Sequence, residues 1–313
     1  MLIAGFAFTF ATVVVLAIEF VRRKRASLPA YAWAAIAALL VAWLLMFRGV
    51  YPITVYFTPI AWTCYIVLVD GAALALTGRS WLHDSPRELV LMAVISIPLW
   101  LIFEAYNLRL KNWTYVGVPE QLAFALLGYG WSFATITPAI LQTASLVEGF
   151  GWFGPARSVR FSEWAERGMM IFGATCLLVP LLLPASIASY LFALVWVGFI
   201  FLLDPLNRRL GLPSLLGDFA QGQRNRFWSL FVAGWTCGWL WELWNYWAAA
   251  KWHYTFPIFQ QWKIFEMPLP GYLGFLPFAL ECFVLYTTAR WVVGKISFPR
   301  SRDTSREASL PPR

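Results

Sequence analysis

Six carboxyl-bearing residues stand within or at the edge of long apolar runs, and they are the first candidates for chemistry. They are Asp70, Glu104, Asp204, Glu242, Glu266 and Glu281. An acid inside a membrane costs roughly 3 kcal/mol unless it is paired or faces a cavity. Because apolar burial can keep a carboxyl group neutral, such a residue can also donate a proton to an alkene or an epoxide.

Two of these acids belong to a pattern that occurs twice. Glu104 precedes Asn107 by three residues, and Glu242 precedes Asn245 by three residues, each time at the end of an apolar run. Residues three apart lie on one face of a helix, so we predict that each asparagine faces its glutamate and that Asn245 orients Glu242 as a proton donor. Both copies continue with the same residue types: Lys111, Trp113, Tyr115 and Pro119, then Lys251, Trp252, Tyr254 and Pro257. The alternative is structural, with each glutamate bonded to the lysine that follows it.

Aromatic residues are dense around Glu242, in a chain with 19 Trp, 26 Phe and 12 Tyr. One interpretation is a belt of anchors at the membrane surface. The other is a pocket whose ring faces hold an apolar polyene and stabilise a carbocation. The residues predicted to line this pocket are Trp241, Trp244, Trp252, Tyr254 and Tyr272.

Glu281 differs from Glu104 and Glu242 because it has no acidic counterpart in the first copy, where the matching position lies near Pro138. It stands in the middle of an apolar run, where a purely structural acid is hard to justify. This position favours a catalytic role for Glu281.

Asp70 and Asp204 each end an apolar run beside a basic loop. For these two residues we expect a structural role, in which they lie at helix ends and pair with Arg79 or Arg208. They are not included among the catalytic candidates.

Several reaction classes need residues that the sequence lacks. The two histidines, His83 and His253, are too few for a histidine-rich di-iron site. No DDxxD pair is present to hold magnesium and a diphosphate, and no GxxxxGK[ST], GxSxG or HExxH motif occurs. The four cysteines stand singly without a CxxC motif. We therefore predict neither a metal nor a cofactor.

The composition predicts a polytopic membrane protein. The chain is 60% hydrophobic and 13% charged, whereas a soluble domain carries about 25% charged residues. The net charge of +8 lies in short loops between apolar runs, which indicates a topology signal and argues against a nucleic-acid partner. We expect lipids or an apolar polyene or isoprenoid substrate as partners, and a homo-oligomer stays open.

Nine apolar segments are long enough to cross a bilayer, which takes about 20 residues. They lie near 2–20, 30–47, 53–76, 88–106, 120–147, 168–185, 187–204, 227–246 and 268–291. The first is followed by a basic run at 22–25 and preceded by no Lys or Arg, so we predict an uncleaved helix with its N-terminus outside. Alternation from there leaves five basic residues outside, and the bacterial inner membrane is the expected location.

Matching residues recur at a spacing near 134–143, which predicts an internal duplication. For example, Tyr56, Trp62 and Asp70 recur as Tyr190, Trp196 and Asp204. We predict two parallel four-helix repeats at 30–147 and 168–291, with a shared cavity between them. An N-terminal helix and basic loop (1–29), a cytoplasmic linker (148–167) and a disordered cytoplasmic tail (292–313) complete the chain.

One stretch in the second half combines a W-x-Y loop with a following helix that carries proline and acid residues. Its residues are Trp252-His253-Tyr254, Glu266-Met267-Pro268-Leu269, Pro277, Glu281 and Phe283. This text resembles the membrane lycopene-cyclase-domain family and the carotenoid hydratases, which implies isoprenoid or carotenoid chemistry at intramembrane acids. The Pro-x-Glu-Glu pair of the cyclases is absent, and Glu281 stands alone four residues after Pro277.

These patterns predict an intramembrane cyclase or hydratase for isoprenoids or carotenoids, with Glu242 or Glu281 as the proton donor. A dry cavity that joins these two acids would favour it. The alternative is a proton-coupled transporter or lipid-binding protein, with Glu104 and Glu242 as a relay. A structural membrane subunit is the third hypothesis.

Overall fold

The computed structural model describes residues 1–297, and helices dominate them, as predicted. The twelve helices are α1 (Leu2–Arg23), α2 (Ala30–Phe47), α3 (Phe57–Thr77), α4 (Trp81–Asp84), α5 (Pro86–Leu110), α6 (Leu122–Phe150), α7 (Glu163–Leu182), α8 (Ala185–Ala188), α9 (Phe192–Arg209), α10 (Leu215–Ala220), α11 (Asn225–Trp247) and α12 (Phe275–Ser297). A 3-10 helix, Leu269–Gly274, leads into α12. Most of the predicted tail, 298–313, lies outside the described residues, but 292–297 continues α12 and is not disordered.

Seven helices of the described chain are long and apolar enough to cross a membrane, so the chain is a multi-pass membrane protein. They are α1, α2, α3, α5, α6, α7 and α12 together with its 3-10 turn. Two further long helices account for the difference from the predicted nine. α9 has 18 residues and carries Asp204, Arg208 and Arg209 near its end. α11 has 23 residues and is rich in tryptophan, which makes it less apolar.

The helices pack as two sets with the same order of neighbours. In the first set, called the first half, α2 packs on α3, α3 on α6 and α5 on α6. In the second half, α7 packs on α9, α9 on α12 and α11 on α12. α6 and α11 form the main contact between the halves, while α1 lies chiefly against α11.

Two small sheets were not predicted. β1 (Trp113–Val116) pairs antiparallel with β2 (Lys251–Tyr254), so that the aromatic stretches after the two Glu-x-x-Asn patterns form one ribbon. β3 (Lys263–Ile264) pairs antiparallel with β4 (Met267–Pro268). A two-stranded ribbon is marginally stable alone, so the helices on which β1 and β2 rest must hold it in place.

The short helix after α3 begins with a cap built from two acceptors. The hydroxyl of Ser80 accepts a hydrogen bond from the backbone N–H of His83. The carboxylate of Asp70 accepts one from the N–H of Leu82 at 3.0 Å and another from the hydroxyl of Tyr31 at 3.0 Å. Together these oxygens satisfy N–H groups that a helix start leaves unpaired.

The short helix after α9 is capped in the same way. The hydroxyl of Ser214 accepts from the N–H of Gly217 at 3.0 Å. The buried carboxylate of Asp204 accepts from the N–H groups of Leu215 and Leu216 at 2.7 and 2.9 Å. Both aspartates thus lie inside α3 and α9 and bind backbone N–H groups of the following short helix. The expected pairing of Asp204 with Arg208 was wrong, because Arg208 binds Glu166.

Candidate functional site

A pocket lined mainly by aromatic rings lies between the two halves. Its cavity volume is about 110 Å³, and it is partly open at the protein surface. Residues of α3, α5, α6 and β1 line one side, and residues of α9, α11, β2 and α12 line the other. Its aromatic residues are Tyr56, Trp62, Trp100, Trp113, Tyr115, Tyr129, Phe133, Phe192, Trp196, Trp241, Trp252, Tyr254, Phe275 and Phe278.

Trp241 ties the two halves of this wall together. Its ring centroid lies 5.6 Å from that of Trp62 and 5.9 Å from those of Trp100, Trp252 and Phe278. These separations are typical of favourable edge-on and tilted aromatic pairs. The wall is therefore a packed aromatic layer with little freedom to collapse into the pocket.

The structure divides the five predicted lining residues. Trp241, Trp252 and Tyr254 line the pocket, whereas Trp244 and Tyr272 do not. The ring of Trp244 packs edge-on behind the wall, 4.6 Å from that of Trp62. Tyr272 stacks on the indole of Trp239 and donates its hydroxyl to the carbonyl of Ile264.

Glu104, at the end of α5, accepts three hydrogen bonds from residues that line the pocket. The indole N–H groups of Trp100 and Trp113 donate to its Oε1 at 2.8 and 3.2 Å. The hydroxyl of Tyr115 donates to the same oxygen at 2.5 Å. This carboxyl group is thus the anchor of three aromatic side chains and is itself only partly buried.

Glu242, the counterpart on α11, is 0% exposed and has far fewer partners. The hydroxyl of Tyr254 donates to its Oε1 at 2.9 Å. Its Oε2 and the indole N–H of Trp252 have no well-aligned hydrogen-bond partner within residues 1–297. The indole N–H of Trp252 and the backbone N–H of Glu266 nevertheless lie close to this carboxyl group. A buried acceptor and a buried donor left unpaired on the same wall are costly, and such exceptions need an explanation.

The two asparagines do not orient the glutamates, which corrects the prediction. The amide of Asn245 brackets Trp252, accepting from its N–H and donating to its carbonyl, both at 2.9 Å. The amide of Asn107 likewise accepts from the N–H groups of Asn112 and Trp113 and donates to the carbonyl of Trp113. Each asparagine fixes the start of its aromatic strand to the end of its helix.

The expected glutamate–lysine bonds were wrong as well. Lys251 lies 3.7 Å from Glu266 and donates to the carbonyl of Tyr246. Glu266 also contacts the imidazole of His253 at 2.7 Å. This outer cluster lies next to the ribbon and leaves Glu242 without a basic partner among the described residues.

Burial keeps the phenols of the ribbon neutral. Desolvation is the main cause that raises the pKa of Tyr254 well above its usual value, and the neighbouring Glu242 raises it further. The pKa of Tyr115 is raised in the same way by burial and by Glu104. Both hydroxyl groups therefore remain hydrogen-bond donors over the physiological range.

Glu281 is fully buried on α12, but it does not line the pocket. Neither of its carboxyl oxygens has a well-aligned hydrogen-bond partner within residues 1–297, although the backbone N–H of Phe199 lies close to the carboxyl group. Gln142 on α6 is in the same condition, with both amide atoms unpaired. Gln142 follows Pro138 by four residues, as Glu281 follows Pro277. The cavity expected to join Glu242 to Glu281 is thus not the aromatic pocket.

Sequence reasoning missed most of the first half of the wall. Trp62 and Trp196 were noticed only as a repeated pair, yet both line the pocket. Their recurrence at one spacing, inside apolar runs, was the available signal. Trp113 and Tyr115 could have been found from their match with Trp252 and Tyr254.

The described residues contain no group of three or more His, Cys, Asp or Glu side chains that could hold a metal. The prediction that the protein works without a metal or cofactor stays a prediction. Comparison with known protein families, curated proteins and solved structures finds no match to this chain. The carotenoid resemblance therefore stays a prediction as well, and the site must be interpreted from its own geometry.

Proposed function

We propose that the aromatic pocket binds an elongated apolar molecule of isoprenoid or carotenoid type, and that Glu242 protonates it through Tyr254. The observation that carries this proposal is the hydrogen bond between a pocket-lining phenol and a fully buried carboxyl group with one unpaired oxygen. Tyr254 touches the pocket, whereas Glu242 stands behind it. The phenol is therefore the group that would meet the ligand.

The proton balance follows from this order of groups. For this step Glu242 is neutral and its O–H donates to the phenol oxygen, which reverses the hydrogen bond seen in the structure. The Tyr254 hydroxyl then gives its proton to a carbon of a ligand double bond while Glu242 passes its own proton to the phenol oxygen. The resulting carbocation attacks a second double bond of the ligand and then loses a proton, which restores Glu242 through Tyr254. If water adds instead, the proton that water releases returns along the same path. Both routes regenerate the acid.

The aromatic wall suits this chemistry for two reasons. Ring faces attract a developing positive charge, which is worth about 0.5–2 kcal/mol for each well-placed ring. They also present no strong nucleophile that would capture the cation early. Trp241 and Trp252, whose ring centroids lie 5.9 Å apart, are two such rings in the second half of the pocket lining.

Within the same proposal, α9 and α11 also cross the membrane, which gives nine spans. At about 1.5 Å per residue, α11 is about 35 Å long, and it packs between α6 and α12 inside the bundle. The shared order of helix neighbours, the two matching aspartate caps and the antiparallel β1–β2 pair support two parallel repeats. The basic loops then place the N-terminus outside an inner membrane.

A binding or transport function is the second candidate. It is favoured by the absence of Glu104, Glu242 and Glu281 from the pocket lining. A pocket whose walls are aromatic and whose acids stay behind them can hold a lipid without reacting with it. In this alternative, Glu104 and Glu242 serve to fix the walls or to relay protons.

Expression in a host that accumulates linear polyprenoids and carotenoids separates the two candidates. Lipid mass spectrometry is applied both to whole membranes and to the purified protein. We expect a cyclised, isomerised or hydrated product with the wild type and with the control Tyr246→Phe, whose phenol lies outside the pocket. Tyr254→Phe should bind the ligand and form no product. Bound lipid without any product would favour the second candidate. If neither bound lipid nor product were found, the proposal would be contradicted.

A further inference from the structure

A second, basic cleft lies where the ends of α1, α3 and α6 meet, and it shares no lining residue with the aromatic pocket. Its cavity volume is about 320 Å³, and it is open at the protein surface. Its lining consists of Arg23, Arg25, Leu76, Thr77 and Gly149. None of these residues has a role in the proposed function, so the cleft needs its own explanation.

Arg23 is held rigidly in the wall of this cleft. Its Nε donates to Glu19 at 2.6 Å, and its Nη1 donates to the carbonyl of Phe150 at 2.6 Å. These bonds tie the end of α1 to the end of α6. They also fix the guanidinium plane, so that ordering it around a ligand costs little further entropy.

Arg25 differs from Arg23 because its backbone is fixed by a hydrogen bond while its side chain is not. Its N–H and that of Ala26 both donate to the carbonyl of Ala75, which holds the loop against the end of α3. Its guanidinium is exposed and makes no hydrogen bond or ion pair with residues 1–297. It is therefore available to an anion.

The charge around the cleft is strongly positive. Arg22 and Lys24 flank the two lining arginines in the sequence. Glu19 is the acid that meets them, and it already binds both Arg22 and Arg23. A phosphate group matches guanidinium N–H groups well, because they form a fork that binds oxyanions in pairs. Arg25 can present this fork, and Arg23 can add the Nη2 group that its bonds to Glu19 and Phe150 leave over.

The position of the cleft selects a lipid as the source of that phosphate. α1 is one of the seven apolar helices, yet only a small part of its surface is buried in the protein. Leu16 and Phe20 pack against the cluster that contains Leu76 and Val147, while Ile18 and Val21 at the same end of α1 are exposed. Apolar surface thus runs from the cleft along α1, where acyl chains can lie while the phosphate stays at the level of the head groups.

We propose that this cleft binds the phosphate of an anionic phospholipid between Arg23 and Arg25. Inner-leaflet phospholipids with basic pockets between helix ends are a known form of lipid recognition. Such a lipid would fasten α1 to the bundle at its weakly packed side. The proposal stands independently of the aromatic pocket and of any reaction there.

Native mass spectrometry of the purified protein tests this proposal by titration with phosphatidylglycerol, phosphatidylcholine or soluble glycerol phosphate. We expect phosphatidylglycerol to bind most tightly, and Arg25→Gln to weaken its binding about tenfold through loss of a charge-assisted hydrogen bond. The matched control is Arg160→Gln, another exposed arginine at the same end of the bundle. It should leave the affinity unchanged.

Three results would overturn the proposal. Equal binding of phosphatidylcholine would show that charge is not recognised. Equal, Arg25-dependent binding of glycerol phosphate would assign the cleft to a soluble phosphate. Equal losses in Arg25→Gln and Arg160→Gln would show only general attraction to positive charge. Because Arg25 is exposed, the gel-filtration profile of its variant should match that of the wild type, which excludes misfolding as the cause.

Discussion

The two copies of the Glu-x-x-Asn element place their glutamates alike but surround them differently. Glu104 accepts hydrogen bonds from two indoles and one phenol. Glu242 accepts one, from Tyr254, and keeps one oxygen unpaired at 0% exposure. In both copies the asparagine serves the aromatic strand. The copies therefore share a way of fixing a strand and differ in what the acid is left to do.

One residue pair explains much of this difference. Trp100 stands four residues before Glu104, and the position four residues before Glu242 is Gly238. Trp100 donates to its glutamate, while Gly238 has no side chain to do so. A Cβ atom at Gly238 would lie 2.3 Å from the ring of Phe275, so the close approach of α11 and α12 requires glycine there. Tight packing in the second half has removed a donor.

Within the proposed function, this comparison favours a structural role for Glu104 and the role of proton donor for Glu242. A carboxyl group that accepts three hydrogen bonds from the aromatic wall would weaken those bonds, and so loosen the wall, if it took up or released a proton. A carboxyl group with one donor and an unpaired oxygen can exchange a proton through that donor. Four tests, from the largest expected effect to the smallest, would break or sharpen this distinction.

The largest effect is expected from removal of each acid in turn. Glu104→Ala leaves three donors unpaired, each of which costs about 1–3 kcal/mol when buried, so we expect a loss of stability of roughly 3 kcal/mol or more. Glu242→Ala strands one donor, and its loss should be about 2 kcal/mol smaller. Thermal unfolding in one detergent measures both. Equal losses would contradict the division of roles, and Glu104→Gln, which keeps an acceptor, is the control.

The glycine that distinguishes the copies gives the second test. Gly238→Ala should destabilise the protein by about 1–3 kcal/mol, because the added methyl group overlaps the ring of Phe275. Gly130→Ala, at a helical glycine with open space around its Cβ position, should be neutral or slightly stabilising. The same unfolding assay reports both variants. A neutral Gly238→Ala would remove the packing explanation for the missing donor.

The strand anchors should differ less than the acids. Asn107→Ala loses three hydrogen bonds and Asn245→Ala loses two. At about 1 kcal/mol for each bond, the first variant should be the less stable by about 1 kcal/mol. Amide hydrogen exchange in 113–116 and 251–254 should quicken in both variants. Unchanged exchange in either strand would show that its asparagine is not the anchor.

The smallest effect concerns the alkaline titration of the two ribbon phenols. Because the pKa of Tyr115 and of Tyr254 is raised in the folded protein, neither should ionise near pH 10, the usual value for tyrosine. Above that pH the unfolded chain releases these protons first, so folded stability falls as pH rises. The rise in tyrosinate absorbance as the pH passes through 10 should therefore be the same in the wild type and in the double variant Tyr115→Phe, Tyr254→Phe. A smaller rise in the variant would contradict burial.

The sequence predicted the fold class and the position of the long helices because apolar length is a local property. The repeated Glu-x-x-Asn pattern is also local and can be seen directly in the sequence. The sequence could not predict that Trp113 pairs across the ribbon with Tyr254, since the two residues are 141 positions apart and each strand has four residues. Nor could spacing alone show that Asn245 binds backbone, because a helix face only says which side chains could meet.

The predictions for other parts of the site were wrong for a different physical reason. The pocket depends on which rings point inward. Trp241 and Trp244 stand three residues apart on one helix, yet Trp241 lines the pocket and Trp244 does not. Glu281 was expected in the cavity because it breaks the match between the copies. In the structure Glu281 resembles Gln142, a side chain of the same shape, because both are buried with unpaired polar atoms. A comparison restricted to acids could not reveal that.

The most direct test of the central claim compares Glu242→Gln with Glu104→Gln in the polyprenoid- and carotenoid-accumulating host. Both substitutions keep an acceptor oxygen and remove the exchangeable acid, so the wall stays intact in each. The account predicts that Glu242→Gln loses the lipid product while Glu104→Gln retains it. Equal retention or equal loss of product in the two variants, measured by lipid mass spectrometry at matched protein levels, would contradict it.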